Sequence, residues 1–129
     1  QIDELLDVSD VTCAWKAISL QRDSSDPLIA RAAKTLSEGS PLTAHLVWEQ
    51  IIRARHLSLA EVFQMEYTLS LNCCRHPEFS EGVRARLIDK DQKPHWHWPD
   101  ISSVPDAVVE AHFHKVWEGR HPLADLTAY

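Results

Sequence analysis

Glycine narrows most what this chain can build. Only three occur in 129 residues, Gly39, Gly82 and Gly119, each standing alone near a place where a helix ends or turns. Backbone that closely approaches a phosphate or an oxyanion is made from glycine-rich loops, because a residue without Cβ clears the way. No such loop occurs here. No stretch sustains period-two alternation either, so the apolar residues read at helical spacing from end to end. The expected fold is all-α, about six helices in a single helical domain over 1–129.

The helix starts are explicit. Ser9 is read as the cap of a first helix from about Asp10 to Leu20, with Val11, Ala14, Trp15 and Ile18 on one face. Asp26-Pro27 and Ser40-Pro41 each pair a capping side chain with proline at the first helical position. Ser58-Leu59-Ala60-Glu61 has the form of a capping box and opens a helix to about Cys74. His76-Pro77 starts another helix, to Ile88, with Gly82 inside it; either close packing or a simple kink accounts for a glycine there. Residues 89–100 read as a loop carrying His95-Trp96-His97-Trp98. A last helix is expected from near Pro105 to Gly119, followed by an extended, mobile tail over 120–129.

Composition matters mainly for what it excludes. The formal net charge of −6 argues against a nucleic-acid partner. No apolar run approaches the roughly 20 residues that cross a bilayer, and no leader of basic then apolar residues is visible. A first residue of Gln rather than Met suggests a processed chain or part of a longer one. Cys13, Cys73 and Cys74 make a poor disulfide framework, so all three are read as reduced thiols serving as small core residues.

The candidate site residues divide between chemistry and packing. Glu66 lies among apolar neighbours, and a shielded carboxylate must be paired, hydrogen-bonded or protonated; a structural ion pair with Arg84 is the favoured reading, ahead of a general base. Eight histidines raise the question of a metal. His112 and His114 would point about 200° apart on a helix, and no Cys-X-X-Cys accompanies His76, so no metal ligand is assigned. Cys73 with His76 could form a nucleophile pair, but nothing in the sequence lowers its pKa, and a buried thiol is preferred. Trp96 and Trp98 suit an adenine ring or an apolar face equally well.

One set of motifs resembles a known family. Ser40-Pro41-Leu42, Leu59-Ala60-Glu61-Val62, Met65 to Ser70 and above all Phe79-Ser80-Glu81-Gly82-Val83-Arg84-Ala85-Arg86-Leu87-Ile88-Asp89-Lys90, followed by Pro94 and Trp96, resemble the C-terminal part of the 3-hydroxyisobutyryl-CoA hydrolase branch of the crotonase (enoyl-CoA hydratase/isomerase) superfamily. Ile2 to Ile18 resemble the segment that joins core to helices there. The resemblance implies a full-length thioesterase of valine breakdown. Its strand-rich spiral core, with the oxyanion hole and catalytic carboxylates, would lie upstream. It assigns no catalytic residue to this stretch, which alone should be inactive. It implies an acyl-CoA substrate, no resident cofactor, and coenzyme A contact through one or more of Lys90, Arg84, Arg86 and Lys93, with Trp96 as a further coenzyme A-binding candidate. Partners are then the chain's own upstream core and, in isolation, further copies of itself. The implied location is cytoplasmic, or the mitochondrial matrix in a eukaryotic source. Two other readings stand beside this one: a hydratase or isomerase of the same superfamily, and a non-catalytic helical interaction module.

Overall fold

Short polar side chains set the start of the first four helices. The computed structural model describes Val8 and residues 10–126. Helix α1 (Val11–Ser19) is capped by Asp10, which accepts from Cys13 N–H at 2.9 Å; Ser9, the expected cap, lies outside the described residues. Asp26 caps α2 (Pro27–Glu38) through Leu28 N–H at 2.8 Å, and Ser40 caps α3 (Pro41–Ala54) through Thr43 N–H at 3.3 Å. The capping box on α4 (Leu59–Arg75) is complete: Ser58 Oγ accepts from Glu61 N–H, and Glu61 accepts from Ser58 N–H at 2.7 Å.

The chain then tightens. His76 ends α4 and starts α5 (Pro77–Val83), its Nδ1 accepting from Glu78 N–H at 3.2 Å. A single π-helical turn, Arg84–Ile88, continues α5 and closes with Asp89 N–H on Arg84 O at 2.8 Å. A 3₁₀ turn (Ile101–Ser103), capped by Asp100, precedes α6 (Asp106–Ala111). No strand occurs among the described residues, so the all-α expectation holds.

The core lies between α3, α4 and α6, where Leu42, Leu46, Leu69, Val104 and Val109 meet and Cys73, Trp98, Val108 and Phe113 close the edges. Each such aliphatic side chain, taken from water, contributes about 1.5–3 kcal/mol. His45 Nε2–H donates to Ile101 O at 2.8 Å and pins the 3₁₀ turn to α3. Helices α1 and α2 form a second layer on one another, with Ala14, Ile29 and Ala33 buried.

Three expectations are corrected here. The last helix ends at Ala111, not Gly119, because Asn72 Nδ2 on α4 donates to His112 O and His114 O, at 3.0 and 2.9 Å, and draws the chain out of the helix. Residues 122–125, expected to be extended, form a turn instead. Gln64 Nε2 donates to Leu123 O, His121 Nε2 donates back to Gln64 O, and the rings of Tyr67, Trp117 and His121 meet edge to face. Two of the cysteines are not core residues: Cys13 and Cys74 are exposed, whereas Cys73 is half-buried against the core, and all three are free.

Candidate functional site

The residues of the strongest sequence motif gather where α5, the π turn and the 89–100 loop come together. Proline at the first position of α5 fixes the start of that helix, which places Glu78 in its first turn and turns it inward. Glu78 is only 6% exposed. Its carboxylate accepts from Ser40 Oγ, at the cap of α3, and from His97 N–H in the loop. One buried anion therefore ties three segments, satisfied by hydrogen bonds and the positive end of its own helix.

Gly82 faces the loop one turn later. A Cβ built there would sit 3.3 Å from Cη2 of Trp96, so the glycine serves close packing and not a kink. The Trp96 indole N–H donates to Glu38 O at 3.0 Å. The ring is thereby clamped between α5 and the end of α2, which favours packing over adenine stacking for this tryptophan. Trp98 instead stacks on His76 at 5.6 Å and borders the core.

The expected Glu66–Arg84 pair is not formed. Glu66 Oε1 accepts from Gln50 Nε2 at 2.8 Å, a link between α3 and α4. Arg84 is taken by carboxylates close to it in sequence: Glu81, Asp89 and Asp91, each at 2.7 Å, and it also donates to Lys93 O at 3.2 Å. Local partners win because the chain already holds them near. The hydrogen bonds from Arg84, with a further one from His95 N–H, pull the Glu81 carboxyl down to about 2. Arg84 itself is raised by Glu81, Asp91 and Asp89. Arg84 is thus one cation set among three carboxylates.

Of the other candidates, Lys90 is exposed and adopts the left-handed backbone region, φ 56°, just past the π turn. Lys93 is exposed with its N–H on Asp91. Arg86 points elsewhere and lines an apolar groove. That groove, of about 1170 Å³, runs between α1, α2, α3 and α5 past Trp15, Leu28, Val47, Ile51, Phe79 and Leu87. It had no clear signature in the sequence, where the same residues read as ordinary helix stripes.

His76 joins this site to the core. Its ring is contacted by Trp98 and lies 5.1 Å from His112 of α6, and it is flanked by Glu78 of α5, by His97 and by Cys73 of α4. Burial, then the His112 charge, pushes its pKa below the ordinary 6.5, with Glu78 opposing. Neutral His76 is thus preferred in the fold, while the unfolded chain binds the proton more readily. Stability is full above pH 6.5 and falls as pH drops from there towards the lowered value. Urea midpoints at pH 7.5 and 5.5 should differ less in His76→Asn, which keeps a capping side chain but cannot titrate; equal differences in the two proteins would exclude His76 as a source. Burial, with Cys74 adjacent, raises the Cys73 thiol, which argues against a nucleophile there. No cluster of three or more metal-ligating side chains occurs among the described residues.

Residues 1–113 match the family model described as enoyl-CoA hydratase/isomerase. Relatives named 3-hydroxyisobutyryl-CoA hydrolase, mitochondrial, are similar: that of Danio rerio is 41% identical over 95 residues, covering 74% of this chain and 25% of the relative. That of Homo sapiens is 38% identical over 95 residues, covering 74% and 24%. The chain thus spans about a quarter of the length of these relatives. An enoyl-CoA hydratase structure from Rhodobacter sphaeroides 2.4.1 superposes with a TM-score of 0.71 at 26% identity, over 86% of this chain and 32% of that one.

Proposed function

The chain belongs to the enoyl-CoA hydratase/isomerase family, and on that premise we propose that it is the C-terminal helical part of an acyl-CoA thioester hydrolase acting on 3-hydroxyisobutyryl-CoA. The observation that carries the reading is the identity of about 40% to relatives bearing that activity in their names. In this reading the helices cover the acyl-CoA pocket, and the oxyanion hole and catalytic carboxylates belong to an upstream core. The described residues contain no glycine-rich loop and no strand from which an oxyanion hole of that kind could be made. A mitochondrial matrix location fits the names of the relatives, and no helix among the described residues is long and apolar enough to cross a membrane.

In this reading Lys90 is the favoured contact for a coenzyme A phosphate, with Lys93 beside it. Both are exposed, and neither ammonium group takes part in the Arg84 ion pairs, although the Lys93 backbone is bonded to Arg84 and Asp91; an ammonium group suits phosphate as a point charge. Lys90→Gly is an informative substitution because it removes the charge where glycine is the better backbone. Relief of the positive φ, of order 1 kcal/mol, should offset the added freedom of the unfolded chain. The expected outcome is an unchanged melting temperature and, in the full-length enzyme, a KM for the thioester raised roughly fivefold, about 1 kcal/mol of binding. An unchanged KM would remove Lys90 from the coenzyme site. The activity is tested by assaying 3-hydroxyisobutyryl-CoA cleavage by the full-length protein and by this 129-residue stretch. Cleavage by the stretch alone would overturn the placement of the catalytic groups, and hydration of an enoyl-CoA without thioester cleavage would favour the hydratase reading.

The exposed apolar residues also lead to self-association of the isolated stretch, in keeping with the behaviour of large apolar patches. Sedimentation at rising concentration measures it, and a monomer throughout would contradict it.

A further inference from the structure

His76 caps α5 in a way open only to its uncharged ring. Its Nδ1 lone pair accepts from Glu78 N–H, so the proton of the neutral ring sits on Nε2. A second proton enters only at Nδ1. An imidazolium has no lone pair left, so no flip of the ring restores the cap. It also sets a cation against the positive end of α5. The titratable groups around it give that cation little help. From α5 comes Glu78, whose carboxylate is engaged by Ser40 Oγ and His97 N–H. From the loop comes His97, a like charge when protonated, and from α4 the Cys73 thiol, which burial keeps uncharged. From the end of α6 comes His112, 5% exposed, its ring centre 5.1 Å away. His112 Nδ1–H donates to Val108 O at 2.7 Å, which leaves its lone pair on Nε2, and that enclosed nitrogen has no hydrogen-bond partner among the described residues. The two rings pack together without sharing a proton.

We propose that His76 is an acid-operated latch: its protonation releases the first turn of α5 from α3 and α6, and the 97–98 segment of the loop follows, while the start of α4 stays folded. Glu78 spreads the effect, because it lies in the turn that His76 caps. When that turn opens, Ser40 Oγ and His97 N–H lose their common acceptor, and Trp98 loses the ring on which it stacks. One proton on one ring therefore undoes contacts between segments far apart in sequence. The start of α4 is independent of it, being fixed by the Ser58–Glu61 box.

Hydrogen exchange of the full-length protein at pH 7.5 and 5.5, expressed as protection factors, tests the latch. Protection of residues 78–83 and 97–98 should fall together in acid, by roughly threefold to tenfold, since one group titrating near 6.5 once released allows about tenfold at most over this interval. Residues 59–66 should keep theirs. His76→Asn retains a capping side chain that cannot titrate, and it should abolish the fall. Imidazole nitrogen chemical shifts at pH 7.5 give a measurement that needs no variant: His76 should be the Nε2–H tautomer and His112 the Nδ1–H tautomer. Unchanged protection in acid overturns the proposal, as does an equal fall in His76→Asn. So does an equal fall over 59–66, which marks general acid unfolding, or a rise in acid, which marks a proton shared between the two rings. A His76 ring found as the Nδ1–H tautomer removes the cap and the latch with it.

Discussion

Glu78→Ala should destabilise the chain by roughly 3 kcal/mol, read as a shift in the urea midpoint at constant slope. The estimate follows from what the carboxylate holds. Removing it leaves Ser40 Oγ and His97 N–H without their acceptor at a nearly closed site. An orphaned buried donor costs about 1–3 kcal/mol, and bonds to an ionised acceptor are at the upper end of the hydrogen-bond range. The hydroxyl can rotate towards another acceptor, which keeps the total below the sum of two full penalties. Glu78→Gln retains one carbonyl acceptor and should cost about half as much. Equal losses for Ala and Gln would mean that the ionised form matters and not merely an acceptor. No loss for either would mean that α3, α5 and the loop hold together without it.

The sequence revealed the local part of this fold and little of its long-range part. Asp26-Pro27, Ser40-Pro41 and the Ser58–Glu61 box were readable because each device acts within three or four residues, so spacing alone specifies it. The end of α6 was not, since Asn72, forty residues earlier, takes the carbonyls that would have continued the helix. Arg84 shows the same division from the other side. Its partner was sought at Glu66, across the chain, because apolar neighbours there suggested shielding. The carboxylate three residues before it, Glu81, was the better indication, since i,i+3 neighbours on a helix meet without any tertiary help. Glu78 carried no sign of burial in sequence: an acidic residue in the first turn of a helix reads as an exposed dipole partner. The groove stayed hidden because amphipathic stripes say which face is apolar and nothing of whether another helix covers it.

Trp96→Ala should cost about 2–3 kcal/mol, less than the 3–5 kcal/mol of a fully buried ring because this one is half-exposed. The more telling result is its coupling to Gly82. In the natural background Gly82→Ala gains about 1 kcal/mol of helix propensity, yet its methyl carbon meets the ring edge at 3.3 Å and the ring cannot slide freely while its N–H is held by Glu38 O. The two effects nearly cancel, so the single substitution should leave the denaturation midpoint almost unmoved. With Trp96→Ala the obstruction is gone, and the same Gly82→Ala should stabilise by close to the full 1 kcal/mol. A larger side chain inverts the pattern. Gly82→Leu should be destabilising with Trp96 present and tolerated without it, a coupling within the 0.5–3 kcal/mol found for residues in contact. Gly82 has no positive φ, the only glycine that does being Gly119, so backbone strain does not confuse the cycle. Additive effects would show that Trp96 does not rest on Gly82. A clear coupling would show that the glycine exists to admit the ring, and that the ring fixes the loop after α5 against that helix.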